Sequence, residues 1–212
     1  MLDFAFHITT PRLYISNLNP SDNAHCDFTL DVTNNAQSYA IPIPDRDAAR
    51  KLIETGAERL EKVGWGRYLI SLKPSIDQAM HVEEGESPKD IFSQHIKHCT
   101  HVGIVSMQLA RFPVAPTIPD IGFRLHPHYY GKGYATEAAS GLMKYYEEKR
   151  GVKCFAGFCA ESNEASKGVL KRLGFETKGV KDVAGIYGDG SPITVLVWTK
   201  GLIVGELEQY GI

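Results

Sequence analysis

Cysteine is scarce in this chain. The four residues, Cys26, Cys99, Cys154 and Cys159, include no Cys-x-x-Cys pair and no spacing that suits a metal site or a redox pair. Cys154 and Cys159 stand five apart on a predicted strand and so face opposite sides of it. A reduced, cytoplasmic protein is the expectation. No apolar run approaches the length that crosses a bilayer, and the opening Met1-Leu2-Asp3-Phe4-Ala5-Phe6-His7 lacks the basic start of a secretory signal. An excess of one charge is lacking as well: the formal net charge is -2, which gives no general pull toward nucleic acid or an anionic membrane. No internal repeat or low-complexity stretch stands out. What is present suits a folded globular chain. Of 212 residues, 43% are hydrophobic and 23% charged, enough for a sizeable core in a single domain spanning residues 1–212.

The most informative stretch is Tyr130-Gly131-Lys132-Gly133-Tyr134-Ala135-Thr136-Glu137. It joins a strand-like segment, Ile121-Gly122-Phe123-Arg124-Leu125, to an amphipathic stretch from Ala135 to Lys149. Glycines at a strand-to-helix turn let the backbone approach a ligand, and the open N–H groups and dipole of the following helix favour an anion. That is the physics of a phosphate cradle; a tight turn with no ligand satisfies the same spacing. Two familiar fingerprints are missing. A P-loop needs Gly-Lys-Ser/Thr, and Gly131-Lys132 is followed by Gly133. The dinucleotide fingerprint needs a third glycine and an acidic residue ending the next strand. Here that strand, residues 153–160, runs into a second motif, Ser162-Asn163-Glu164-Ala165-Ser166, which continues to Leu173-Gly174-Phe175. Ser162 or Asn163 can cap a short helix, Ala165, Val169 and Leu173 share one face, and Gly174 suits its C-terminal cap.

The pattern elsewhere predicts strands at residues 13–18, 68–72, 102–109, 175–183 and 194–200. Ser21 is expected to cap a helix reaching Asn34, and Pro44-Asp45 to open a charged helix ending near Gly64. The strand–helix–strand unit over residues 121–160 should set two parallel strands side by side. Two segments read as additions: residues 73–100, in which Pro88 to His98 can form a short helix, and the proline-rich connection Phe112 to Pro119. Connections of that length usually carry structure of their own or a job such as a lid; a surface elaboration without a role is the alternative.

Taken in order, Gly-Lys-Gly-Tyr-Ala-Thr-Glu-Ala, a strand, Asn163-x-x-Ser166 and Leu173-Gly174-Phe175 resemble the GNAT acetyltransferases, in particular the RimJ/RimL-like branch. Thr10-Pro11-Arg12-Leu13-Tyr14-Ile15 is similar to that branch's opening strand. Tyr130 departs from the glutamine or arginine usual at the first motif position. The resemblance implies an α/β fold with a mixed, mostly antiparallel central sheet flanked by helices, in which residues 73–100 replace a short hairpin turn. It implies acetyl-CoA as co-substrate, a primary amine as acceptor (a protein N-terminus or a small amine) and direct transfer in a ternary complex. Gly131, Lys132, Gly133, Tyr134, Ala135 and Thr136 would wrap the pyrophosphate. The strand edge Phe123, Arg124 and Leu125 would pair with the pantetheine arm. Asn163 and Ser166 match positions that bind that arm or face the leaving sulfur, although Asn163 equally suits a helix cap.

The amine arrives largely protonated, so a base must take its proton. Asp120 stands where many family members carry a glutamate and is the candidate base, with Ser166 as the second catalytic candidate; a turn aspartate after Pro119 is the alternative. Glu137, in a first helical turn, suits a structural role. Tyr187 reads as a surface aromatic that could also reach the acceptor. His95 and His98 share helical spacing, but no carboxylate stands at ligand spacing and His101 should begin a strand, so no metal is expected. His126 and His128 read equally as site-lining or as a polar turn. No nucleic-acid or membrane partner is expected, and a homodimer is an allowed assembly. A non-catalytic acyl-CoA-binding module is the alternative to an enzyme, and a nucleotide-binding enzyme the third reading.

Overall fold

The computed structural model describes residues 2–35, 41–74, 87–202 and 206–212. The described residues form one eight-stranded sheet with five α-helices. Its elements run β1 (His7–Thr9), β2 (Leu13–Asn17), α1 (Asn23–Asn35), α2 (Arg46–Val63), β3 (Gly66–Leu72), α3 (Pro88–His95), β4 (Thr100–Gln108), β5 (Asp120–Leu125), α4 (Tyr134–Arg150), β6 (Phe155–Cys159), α5 (Glu164–Arg172), β7 (Glu176–Val183) and β8 (Ile193–Lys200). The strand order is β1-β2-β3-β4-β5-β6-β8-β7. Every neighbouring pair is antiparallel except β5 and β6, the parallel pair that a crossover through α4 requires.

Local chemistry sets most boundaries. Asp45 caps α2 by accepting from the Ala48 N–H, and Gly64, at φ 73°, ends it, as the Pro44-Asp45 opening and the glycine lead one to expect. The cap expected at Ser21 lies one residue on. The Ser21 N–H is engaged by Asn19 Oδ1 at 2.9 Å, and Asp22 Oδ1 accepts from Ala24 at 2.8 Å. The Asn19 turn takes Ser21 out of the helix, so α1 starts at Asn23. The short strand β1 has too few residues for a readable period. The helix expected from Pro88 forms α3, with Ser87 and Asp90 in a reciprocal capping box; residues 75–86 of the segment taken for an insertion lie outside the described residues.

One sheet face is covered by α4 and α5. Ala135, Ala138, Ala139, Leu142, Met143 and Tyr146 form the buried stripe of α4, packed with Leu13, Ile15, Ile70, Val105 and Ile121 of the strands and with Val169 and Leu173 of α5 or its end. Three alanines in that stripe let the helix sit close. The other face is covered in two separate patches. At one end Cys26 of α1 and Ile53 of α2 pack on Leu69. At the other, Ile118, Val183 and Ile186 pack on Ala156, Phe158, Val195 and Val197. The proline-rich connection is therefore tied down: Ile118 is buried, and the Thr117 N–H donates to the Tyr210 carbonyl. Between the two patches, over β4 and β5, the sheet face is left open as a cleft.

Candidate active site

The cleft begins where β5 and β6 part. Among the described residues their parallel register is held at Asp120↔Ala156, with the Ala156 N–H donating to the Pro119 carbonyl at 2.8 Å. Beyond that point β5 keeps its ladder to β4 as far as Leu125, and its far edge carries unpaired main-chain groups. The opening holds about 920 Å³ and is lined from both sides, by Gly122, Phe123 and Arg124 on β5 and by Cys159 at the end of β6 with Asn163 and Ser166 beyond it. That volume lies at the upper end of the ~300–1,000 Å³ usual for small-molecule sites.

The cradle stands at the end of the open edge. A 3-10 turn, Pro127–Tyr129, leads into Tyr130, and Gly131 and Gly133 follow with φ of 74° and 80°. A Cβ on Gly131 would meet nothing within 4 Å, so its backbone conformation, rather than crowding, calls for glycine. Gly133 caps α4 without any side-chain hydrogen bond, which leaves the first-turn N–H groups of Tyr134, Ala135 and Thr136 free for an anion. The side chains in this stretch face other work. The Arg12 guanidinium lies 4.6 Å over the Tyr134 ring and the Lys132 ammonium 5.3 Å from that of Tyr129, while Thr136 Oγ1 accepts from Arg172 Nε at 3.3 Å.

Glu137 holds the cradle in place rather than facing it. Its Oε1 accepts from Thr10 Oγ1 at 2.6 Å and from the Arg12 N–H at 2.8 Å, its Oε2 from Arg12 Nε at 2.6 Å, and Arg12 Nη1 continues to the Lys132 carbonyl at 3.0 Å. Burial alone would raise the Glu137 carboxyl; the hydrogen bonds from Thr10 and Arg12 outweigh it and keep the group below its usual range. The structural role expected for Glu137 is the one its contacts show, and Thr10 and Arg12 are its partners because β1, β2 and α4 meet there.

Asn163 caps α5, its Oδ1 accepting from the Ser166 N–H at 3.0 Å. Ser166 lines the cleft. Of Phe123, Arg124 and Leu125, only Arg124 turns its side chain to the cleft side, where Nη1 donates to Thr33 Oγ1 on α1 at 3.1 Å. Phe123 and Leu125 pack into the opposite core, so they can serve the cleft through the backbone alone. Asp120 lies on the cleft face and is not free: Arg111 Nη1 and Nη2 donate to its Oδ1 at 3.1 and 3.2 Å. Burial pushes the Asp120 carboxyl up, while the Arg111 charge and hydrogen bonds oppose that shift without cancelling it.

Three site-lining arginines escaped the sequence reading, and Tyr187, read there as a surface aromatic able to reach the acceptor, takes the second of those places. Arg59 (α2), Arg67 (β3) and Arg111 converge with Arg124 on the cleft, and Tyr187 forms part of its wall instead of lying on the surface. A cationic residue inside an otherwise apolar strand, Gly66-Arg67-Tyr68-Leu69-Ile70, was the available signal for Arg67; Arg59 and Arg111 carry none. The histidines are placed elsewhere. His126 Nε2 lies 3.2 Å from Asp31, His95 Nδ1 2.9 Å from the Tyr14 hydroxyl, and His101 Nδ1 2.9 Å from Ser71 Oγ. Among the described residues no group of three His, Cys, Asp or Glu side chains could hold a metal ion, and no helix is long and apolar enough to cross a membrane.

A glycine cradle on an open helix start, beside a strand edge freed by a splayed parallel pair, defines the class of site. The family model described as the acetyltransferase (GNAT) domain matches residues 12–176, so the chain belongs to the GNAT acetyltransferase family. It is 32% identical over 60 residues to the uncharacterized N-acetyltransferase YnaD of Bacillus subtilis, a match covering 28% of this chain and 35% of that protein, about a third of its length. Among solved structures it is similar to a candidate ribosomal-protein-serine acetyltransferase from Vibrio cholerae, with a TM-score of 0.68 and 14% identity over 95% of this chain and 100% of that one. A RimL ribosomal-protein α-N-acetyltransferase solved with coenzyme A gives 0.62 and 18% over 93% and 98%. These structural likenesses bear out the mixed, mostly antiparallel α/β sheet expected above.

Proposed function

We propose that this chain, as one domain over residues 1–212, transfers an acetyl group from acetyl-CoA to a primary amine by direct transfer in a ternary complex. The observation that carries the reading is the juxtaposition of the free β5 edge with the open N-terminus of α4. It offers main-chain donors and acceptors for the amides of a pantetheine arm and, a few residues on, unshared N–H groups for a pyrophosphate. The residues present fit that group: the edge is unpaired over Gly122 to Leu125, and the cradle glycines hold left-handed conformations that favour a residue without a Cβ. Bound there, acetyl-CoA would supply the activated acyl carbon.

The chain's own residues then divide the work. Main-chain N–H groups from Lys132 to Thr136 hold the phosphates, and the Phe123–Leu125 edge aligns the arm. A β5 N–H aimed at the thioester oxygen contributes ~3 kcal/mol to the transition state. Asp120 takes the amine proton, directly or through water, and its burial favours proton uptake. Ser166 stands where a hydroxyl can hydrogen-bond the leaving sulfur. Cys159 also borders the cleft, but burial pushes its thiol up, which disfavours a covalent acyl-enzyme on that residue and supports direct transfer.

For the acceptor, the names of the ribosomal-protein acetyltransferases similar in fold support a protein N-terminus, and the cleft volume supports a small amine. We read the site of action as the cytoplasm and leave a homodimer as the assembly to look for. The Arg111 grip on Asp120 favours the second reading, an acyl-CoA-binding module without turnover. Thiol release from acetyl-CoA against N-terminal peptides, lysine peptides, polyamines and small amines, with thermal stabilisation by CoA recorded alongside, separates the two. Turnover with any acceptor class supports the enzyme. CoA binding without turnover supports the module.

A further inference from the structure

Arg67 is a charge that neither the cradle nor the proton chemistry uses. It is the exposed position within β3, flanked by buried Gly66 and Tyr68, and it opens into the cleft. Among the described residues it has no ion pair or side-chain hydrogen bond, whereas its three neighbours are committed elsewhere. Arg59 Nη2 donates to the Leu109 carbonyl at 2.7 Å, Arg111 holds Asp120, and Arg124 reaches Thr33. Each of those three still keeps a buried Nε with no partner.

The sheet register fixes where these charges stand. Arg67 is opposite Ser106, and Ser106 is opposite Gly122. The three therefore form one row across the cleft floor, with Arg124 and Asp120 two residues either side of Gly122. A Cβ on Gly122 would come within 2.7 Å of Ser106 Oγ, so the row ends over bare backbone with the serine hydroxyl leaning across it. Arg67 and Gly122 are separated by two strand spacings, roughly 9–10 Å, and Asp120 lies a further ~7 Å along β5. Four arginines thus face a single carboxylate among the described cleft residues, in a chain whose net charge is -2. Like charges gathered in a partly desolvated cleft repel one another strongly unless a counter-charge joins them. Arg67 keeps contact with solvent through the open cleft, yet desolvation by the protein around it counts first against its charged form, ahead of Arg124, Arg111 and Arg59. Such a set of charges favours an anion.

We propose that the acceptor is a small amine carrying a carboxylate or phosphate group, which docks on Arg67 between Arg59 and Arg124 and so presents its amine toward Asp120. This rests on the acetyl-transfer reading above. In the step it serves, the ammonium loses one proton to solvent through Asp120, the N–C bond forms as the C–S bond breaks, and the second amine proton ends on the sulfur of CoA. The anion stays on the arginines throughout, supplying orientation rather than chemistry.

Matched acceptors test this: O-phosphoethanolamine against ethanolamine, β-alanine against β-alaninamide, and serine-led peptides with acidic or neutral second and third residues. For the wild type, kcat/KM favours the anionic small amine over its neutral partner by roughly 10- to 100-fold, the range of one charge-assisted contact. Arg67→Gln removes most of that ratio, chiefly through KM for the amine, and Arg67→Lys restores part of it. Thermal stabilisation by CoA shows that the variants are folded. Calorimetry with O-phosphoethanolamine and β-alanine in the presence of CoA reads the same site without turnover. Arginine-67-dependent binding with no turnover supports the anion site and removes the acetyl-transfer reading instead. A preference for neutral amines or for peptides, or an anionic-to-neutral ratio unchanged in Arg67→Gln, overturns the proposal.

Discussion

The cradle can be tested against a control at the other end of its own helix. Gly133 and Gly151 cap α4 at its N- and C-termini, both left-handed, with φ of 80° and 65°. A Cβ on Gly151 would meet nothing within 4 Å, and one on Gly133 would reach only Arg12 Nη2, at 3.4 Å. Changing either to alanine therefore brings mainly backbone strain, ~1–2 kcal/mol for an L-residue in that region. Restriction of the unfolded chain offsets part of it, by about 0.4–1 kcal/mol. Both variants should lose about 1 kcal/mol of stability, about 2–4 °C in Tm for a chain of this size. Their ligand behaviour should diverge. Gly133 precedes the free N–H groups of Tyr134 to Thr136, and a methyl group there tilts or screens them. Losing one or two hydrogen bonds to a charged phosphate raises the Kd for CoA by roughly 10- to 100-fold. Gly151, 18 positions away in sequence at the far end of α4, should leave Kd unchanged, and Gly133→Val should abolish binding. Denaturant melts give the stability of each variant and calorimetry the affinity. If Gly133→Ala binds CoA as tightly as Gly151→Ala, the phosphate does not sit on this helix start and the cradle assignment is wrong.

Replacing Asp120 with Asn should lower kcat by roughly 10²- to 10⁴-fold while CoA binding persists; unchanged turnover would remove Asp120 from the mechanism. Because the base works when ionised and burial raises its proton affinity, kcat/KM should rise with pH through a value above the usual carboxylate range. Arg111→Gln, which takes away the opposing charge, should move that limb to higher pH, and a limb that stays put would assign it to another group. His101 is depressed to about 4 by burial, with His25 adding to the effect, so the folded chain keeps it neutral where the unfolded chain binds a proton. Its contribution is complete above pH ~6.5 and is lost as pH falls toward 4, about 3 kcal/mol in all. Urea midpoints at pH 7 and 4.5 should differ less in His101→Gln than in the wild type; an equal difference would place the acid sensitivity elsewhere. Tyr146 donates to the Gly64 carbonyl at 2.9 Å and its hydroxyl lies 2.8 Å from that of Tyr68, so Tyr146→Phe should cost ~1–3 kcal/mol, and a denaturation midpoint equal to wild type would contradict it.

The sequence showed the parts of this site that are made of backbone. Two glycines, an apolar strand before them and a helical period after them imply a turn with open N–H groups whatever the distant chain does, and Asn163 with Gly174 bracketed α5 for the same local reason. It was weaker where a role depends on a side chain's distant partner. Asp120 could be placed at the head of a strand, but not in the hands of Arg111, because the reversal between β4 and β5 that brings them together is set by Ala110 at φ 46°, a conformation no alanine signals. Glu137 could be given a structural role without its partner, since Arg12 lies 125 residues away. Tyr187 looked exposed because nothing in its glycine-rich loop shows the core under it. The splay of β5 from β6 has no sequence mark either; adjacency of parallel strands was legible, and their parting was not.

The two halves of the site are positioned by separate clamps. On the cofactor side, Arg12 and Glu137 join the turn between β1 and β2 to the first turn of α4 and to the Lys132 carbonyl, so the phosphate cradle is fixed by the edge of the sheet farthest from β6. On the acceptor side, Arg59 of α2 holds the carbonyls of Leu109 and Ala110. Those carbonyls belong to the strained turn that carries Arg111 to Asp120. The left-handed alanine costs about 1–2 kcal/mol, which surrounding contacts such as these must offset. Asp120, the arginine that grips it and the arginine that holds the turn thus form one connected unit with α2, while the cradle belongs to α4 on the opposite face. Between these units lies only the free edge of β5. A reaction that must bring an activated acyl group and an amine to one point needs both held independently of each other, and a sheet opened between two clamped faces provides that arrangement.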